Sequence, residues 1–330
     1  MKKAILFSDD ASSVQRVYRE CVTELKRRYD IGDKVYCKAD FDKIDFSDVE
    51  YVFSTWGMPA VSEEEIKRYL PRVKALFYAA GSVQWFARQF INCNVKVFSA
   101  WQANAIPVIE YAVSQILLAN KGYFQLAWRT KRSYDEARRF AACYKGNYGA
   151  KIGILGDGAI GSQVIERLRE YKLQIYVYSI TMSEERAKQL GVKLASLKEI
   201  FTECDVISNH LANNAQTKGI ICKELIDGLK DYSTFINTGR GAQVDESALI
   251  EKLTQNPTIT AVLDVTFPEP PKEDSPLYLL PNVVLTPHIA GSSGNEVCRM
   301  AEYMLEEAKR FENGEKTRFE VTREMLETMA

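Results

Sequence analysis

At 330 residues the chain is too long for one ordinary hydrophobic core, so two domains are expected. Apolar residues make up 46% and charged residues 26%, the balance of a globular protein rather than a disordered one. A formal net charge of −1 leaves no basic footprint for nucleic acid or an anionic membrane, and no run nears the roughly 18 apolar residues of a spanning helix.

The N-terminal part alternates strand and helix patterns. Residues 4–8 read as a strand, after a basic start that meets Ser8-Asp9-Asp10 too soon for a signal-peptide core. Val14, Val17, Tyr18, Cys21, Val22 and Leu25 follow at helical spacing. Residues 34–37 make a weak strand candidate and 51–54 a stronger one, ended by Gly57 and Pro59. Ser62 and Glu65 form a capping box for a helix that Pro71 stops. Apolar runs at 73–78 and 95–98 complete the series. Strands separated by helices imply a parallel sheet covered on both faces, here a small flavodoxin-like unit.

A long helix is expected from about Asn104, with Pro107 in its first turn and Val108, Tyr111, Ala112, Ile116 and Ala119 as its apolar stripe. The basic stretch 129–139 reads as a solvated helical face. A second alternating series starts at Lys151, with strands expected at 152–155, 175–178, 206–209, 234–237, 261–265 and 283–286. Six such strands fit a doubly wound dinucleotide-binding sheet. A last helix is expected from about 295 to 311. The seven cysteines are odd in number and lack metal-ligand spacing, so they read as reduced thiols of a cytoplasmic protein that holds no metal.

The sharpest motif is Gly156-Asp157-Gly158-Ala159-Ile160-Gly161, which follows an apolar strand and opens a helical pattern. In that context the glycines form a dinucleotide loop. Gly156 permits the tight turn, Gly158 lets the backbone approach a pyrophosphate, and Gly161 lets helix and strand pack closely. The phosphates then meet the free N–H groups of the helix start. The second strand ordinarily ends in an acid for the ribose hydroxyls, but here Tyr178 is followed by Ser179-Ile180-Thr181. Ser179 and Thr181 can donate hydrogen bonds to a 2′-phosphate, while the nearest following arginine is Arg186. NAD and NADP both remain candidates, with a slight preference for NADP.

Of the two histidines, His288 ends an apolar strand within Thr286-Pro287-His288-Ile289-Ala290-Gly291. Upstream lie Asn237-Thr238-Gly239-Arg240-Gly241, followed by Val244-Asp245, and Leu263-Asp264-Val265-Thr266-Phe267-Pro268-Glu269-Pro270. With the glycine loop and Cys204-Asp205-Val206-Ile207-Ser208-Asn209-His210-Leu211, these segments and their order resemble the D-isomer-specific 2-hydroxyacid dehydrogenase family, closely from about residue 104 to 292.

The resemblance implies a Rossmann cofactor domain (102–291) inserted in a flavodoxin-like substrate domain (1–101 plus 292–330), both doubly wound parallel α/β sheets. It implies hydride transfer between NAD(P)H and a small 2-oxo acid, glyoxylate- or hydroxypyruvate-like, to give a D-2-hydroxy acid. Arg240 would grip the carboxylate and carbonyl, His288 would supply the proton and Glu269 would orient it. Ala159, Ile160, Leu211, Thr238, Gly239 and Asp264 would join the glycines and Ser179 at the cofactor, Asp264 at the nicotinamide carboxamide. His210 would support the cofactor strand. Ala80, Gly81 and Ser82 would hold the substrate carboxylate, although Val83-Gln84-Trp85 follows where the family usually has a second glycine. Trp56, Trp85 and Trp101 are candidate pocket walls, core placement being the commoner use of such residues. The site would lie in the cleft between the domains, whose closure excludes water. The helix after Asn104 would build a homodimer. The competing readings are a formate- or phosphite-type dehydrogenase on the same scaffold, or a non-catalytic NAD(P)-dependent sensor.

Overall fold

The computed structural model describes residues 1–327. The chain forms two compact units, one of residues 1–105 together with Ser292 onward, the other Ile106–Gly291. Both are built on sheets whose strands run parallel, with one isolated antiparallel bridge, Phe98 to Glu320, at the edge of the first.

In the first unit six strands pair in parallel: Tyr29–Asp30, Lys2–Phe7, Tyr51–Ser54, Ala75–Tyr78 and Lys96–Ser99 in that spatial order, with Val35–Tyr36 also on Lys2–Phe7. Their apolar side chains bury on both faces, as the uninterrupted runs require. The expected helix over 14–25 is two helices, Ala11–Tyr18 and Val22–Arg28, because Cys21 N turns back onto Tyr18 O at 2.8 Å. Ser62 and Glu65 cap the helix Glu63–Tyr69 reciprocally, and it ends just before Pro71. The helix Glu296–Glu312 sets Val297, Met300, Ala301, Met304 and Ala308 into the same core.

The long helix spans Trp101–Asn120, starting almost directly after the strand Lys96–Ser99. Pro107 therefore lies inside the helix rather than in its first turn, so the Ala103 carbonyl loses its ordinary helical donor. The basic stretch is two short helices, Tyr123–Thr130 and Tyr134–Phe140, and Arg129 folds back over the Phe140 ring at 3.8 Å instead of facing solvent freely. Among the described residues no helix is long and apolar enough to cross a membrane.

The second unit holds a seven-stranded sheet. Its order is Val283–Leu285, Thr260–Leu263, Thr234–Asn237, Val206–Asn209, Tyr148–Leu155, Lys172–Tyr178 and Lys193–Leu194. The seventh strand was not expected, since two residues give no readable alternation. Tyr178, Leu155, Asn209, Asn237, Leu263 and Leu285 stand in one register line. The residues just past that line are Ser179, Gly156, His210, Thr238, Asp264 and Thr286. The strand order reverses between Tyr148–Leu155 and Val206–Asn209, the next two strands in the chain lying on one side of Tyr148–Leu155 and the later ones on the other. Open α/β sheets bind their ligands at this carboxyl edge and this reversal.

Candidate active site

The glycine loop leaves the strand Tyr148–Leu155 and enters the helix Gly161–Leu168. Gly156 has φ +90°, a conformation side chains resist. A Cβ on Gly161 would fall 1.9 Å from the Gly156 carbonyl oxygen, so the turn closes only on glycine. A Cβ on Gly158 would meet no atom within 4 Å. Ala159 is exposed and Ile160 half-buried, and Ile160 caps the helix with no side-chain hydrogen bond; Ser162 N donates to the Gly158 carbonyl at 3.0 Å, which leaves the N–H groups of residues 158–161 available. Nearby on the same sheet edge, Thr238 Oγ1 and His210 Nδ1 are buried without a partner. An open approach at Gly158, free N–H groups and orphaned polar atoms fit a dinucleotide.

The neighbouring loop is fixed by amides that sequence reasoning passed over. Asn209 Nδ2 donates to Asn237 Oδ1 at 3.0 Å and to Gln243 Oε1 at 2.8 Å. Gln243 Nε2 donates to the Leu211 and Ala212 carbonyls, both at 3.0 Å, and its Oε1 accepts from Arg240 N at 3.1 Å. Asn237 Oδ1 also accepts from Gly239 N at 3.1 Å, and Asn209 Oδ1 from Leu211 N at 3.2 Å. This buried network ties the Leu211 and Thr238–Arg240 segments together. Its signal in the sequence is an amide closing each of two apolar strands.

Arg240 donates from Nη1 to the Gly239 carbonyl at 2.8 Å. Burial pulls its guanidinium below its ordinary pKa while the charge of Glu269 pushes it back up. It stays charged, as arginine does in proteins. Glu269 Oε1 lies 2.6 Å from His288 Nδ1. The three residues are therefore assembled in one unit, Arg240 and His288 each within reach of the Glu269 field.

His288 has φ +55°, strained for a residue with a side chain. Asp264 holds that turn: its carbonyl accepts from His288 N at 3.0 Å, its Oδ1 from Ile289 N at 2.8 Å and Thr286 Oγ1 at 2.6 Å, its Oδ2 from Ala290 N at 2.8 Å. Tyr111 Oη meets Thr286 Oγ1 at 3.2 Å. The Asp264 carboxylate, assigned on sequence to the cofactor, thus accepts three hydrogen bonds from its own chain.

Ser179 differs from expectation. Its hydroxyl donates to Asp157 Oδ1 at 2.6 Å and accepts from the Thr181 and Met182 N–H groups. A hydroxyl has one hydrogen, so Ser179 has none left to give a 2′-phosphate.

His210 is buried, with Nε2 2.9 Å from Ser208 Oγ, and desolvation pushes its pKa down to about 4. It is neutral where the unfolded chain's histidine, near 6.5, begins to charge. Stability should therefore be unaffected above about pH 7 and fall as the pH drops through 6.5 towards 4, by up to about 3 kcal/mol. Urea unfolding midpoints of His210→Gln should fall less over that window than those of the parent; parallel curves would count against this.

In the first unit, Ala80–Ser82 follow the strand Ala75–Tyr78. Ser99 Oγ donates to the Ala80 and Gly81 carbonyls at 2.9 and 2.8 Å, and Thr55 Oγ1 to Ala79 O at 2.7 Å. The carbonyls are turned inward, and the Gly81 and Ser82 N–H groups have no partner among the described residues. Trp85, where a second glycine was expected, is partly exposed and donates from Nε1 to Met58 O at 2.8 Å. Trp56 packs against the core, and Trp101 Nε1 is buried without a partner.

Comparison with known proteins identifies the family. The profile of the D-isomer specific 2-hydroxyacid dehydrogenase NAD binding domain matches residues 113–290. D-3-phosphoglycerate dehydrogenase of Archaeoglobus fulgidus is 34% identical over 200 residues, 61% of this chain and 38% of that protein. Glyoxylate reductase of Korarchaeum cryptofilum is 36% identical over 168 residues, 51% of each chain. The matches thus cover about a third to a half of the curated relatives' length. Among solved structures, a phosphoglycerate oxidoreductase from Rhizobium etli superposes with a TM-score of 0.80 at 20% identity, over 99% of this chain and 100% of that one. D-mandelate dehydrogenase of Rhodotorula graminis gives 0.79 at 18% identity, over 98% of both chains; at such identities the likeness speaks for the fold. With more than half of its length matched by the family profile, the chain belongs to the D-isomer specific 2-hydroxyacid dehydrogenase family.

Proposed function

We propose that the chain is an NAD(P)-dependent D-2-hydroxyacid dehydrogenase that reduces a small 2-oxo acid, of glyoxylate or hydroxypyruvate type. The observation that carries this is the 2.6 Å contact of His288 Nδ1 with Glu269 Oε1, in the same unit as Arg240 and the glycine loop.

The bound nicotinamide supplies the hydride. Gly158, Ala159, Ile160 and Gly161 would receive the cofactor's pyrophosphate on backbone N–H groups, Gly156 making the turn with its own N–H donated to the Tyr178 carbonyl at 2.8 Å, and Leu211, Thr238 and Gly239 lie along the same sheet edge. Arg240 has donors to spare beyond the one spent on Gly239 O, and its planar fork matches a carboxylate and the adjacent carbonyl oxygen. His288 engages Glu269 through Nδ1, so Nε2 is the atom that delivers the proton to the nascent alkoxide. Glu269 fixes the ring's orientation and favours its charged form. The free N–H groups of Gly81 and Ser82, with Ala80, are assigned to the substrate carboxylate.

The test is oxidation of NADH and NADPH by the purified chain against a panel of 2-oxo acids, with chiral analysis of the products. Turnover of glyoxylate or hydroxypyruvate, and D products from chiral acids, is expected. Cofactor binding with no turnover of any acid, unaltered in Arg240→Ala, would favour the sensor reading instead.

A further inference from the structure

We propose that Asp157, inside the glycine loop, supplies the ribose-binding carboxylate that the end of the second strand lacks, and that the chain thereby selects NAD(H) over NADP(H). The inference rests on the dinucleotide reading above and goes against the preference drawn from the sequence.

The strand Lys172–Tyr178 ends beside the glycine loop, in register with Leu155. An acid at that strand's end ordinarily accepts the ribose hydroxyls. Here Ser179 Oγ and Thr181 Oγ1 both donate to Asp157 Oδ1, at 2.6 and 3.1 Å. The two hydroxyls expected to receive a 2′-phosphate are thus spent on holding a carboxylate at the same place. Asp157 is partly exposed, and its Oδ2 has no hydrogen-bond partner among the described residues. A carboxylate oxygen with free lone pairs accepts a ribose hydroxyl, and it repels a phosphate.

The surroundings point the same way. The next helix, Glu184–Leu190, begins with Glu184 and Glu185. Arg186, the nearest following arginine, lies 3.5 Å from Glu166, which also pairs with Arg169 at 2.8 Å. Strand end, loop and first helical turn present acids and committed hydroxyls. A 2′-phosphate would need a cation there.

The sequence hid this because the acid is displaced. It sits more than twenty residues upstream of the position where the fingerprint expects it, between two glycines that draw attention to the backbone. Only the fold brings it to the strand's end.

Dissociation constants of NADH, NADPH, ADP-ribose and 2′-phospho-ADP-ribose, measured by calorimetry on the purified chain, test the inference without relying on turnover. The parent is expected to bind NADH at least about tenfold tighter than NADPH, with the two fragments in the same order. Asp157→Asn, and Asp157→Ser as a second variant, should reduce that ratio about fivefold or more, with melting temperatures near the parent's. Equal or tighter binding of NADPH by the parent, or an unchanged ratio in both folded variants, would overturn the assignment of Asp157 while leaving the dinucleotide site standing. Binding of none of the four probes would overturn the dinucleotide reading, and the inference with it.

Discussion

Replacing His288 with glutamine is expected to lower turnover of a 2-oxo acid by about 100-fold or more, with the affinity for NADH and NADPH within about threefold of the parent's. Glutamine keeps much of the side chain's reach and its ability to hydrogen-bond Glu269, but it carries no proton that can be released and regained near neutral pH. The imidazole is held by Glu269 at 2.6 Å on one nitrogen, so proton delivery falls to the other alone. It takes no part in the glycine loop, and cofactor affinity should survive. Steady-state kinetics paired with a cofactor fluorescence titration separates the two effects. A parallel loss of turnover and cofactor binding would instead mean that His288 holds the backbone, since Asp264 clasps the residues on both sides of it.

The second large effect lies in the loop itself, where two glycines should fail in different ways. Gly161→Ala puts a methyl 1.9 Å from the Gly156 carbonyl oxygen and 2.9 Å from its carbon. Those are backbone atoms that cannot rotate aside, so the cost falls on the free protein, about 3 kcal/mol or more, with cofactor binding lost as the loop opens. Gly158→Ala meets nothing within 4 Å, so the free protein should melt as the parent does. Its methyl would stand where a pyrophosphate approaches, and NADH affinity should fall about tenfold or more. Thermal melts with and without NADH check both. Equal melting of the two variants without cofactor would refute the distinction.

Sequence periodicity located both parallel sheets and almost every strand, because strands buried on both faces read as short apolar runs. It failed where an element is too short to have a period, as at Lys193–Leu194, and where a local turn splits a helical pattern, as at Cys21, whose N–H bonds back to Tyr18 O. Arg240, Glu269 and His288 were legible because each sits in a distinctive string. Asn209, Asn237 and Gln243 were not, since a buried amide looks like any surface amide until its partners are known. Ser179 was misread for the same reason: its hydroxyl could be assigned only once Asp157 was seen beside it.

The common register line of the six strands also bears on how such a protein changes its task over time. The inter-strand ladder runs one residue past the line through backbone groups alone, with the Gly156, His210, Asp264 and Thr286 N–H groups each donating to the neighbouring strand at 2.8 to 3.0 Å, while the side chains there face the carboxyl edge. Side-chain substitutions at these positions leave those backbone bonds in place, so drift in substrate or nucleotide preference is decoupled from strand pairing. Asp157 facing Ser179 illustrates it: a carboxylate of the adjacent loop stands at the strand's end while the ladder beneath keeps its pairing.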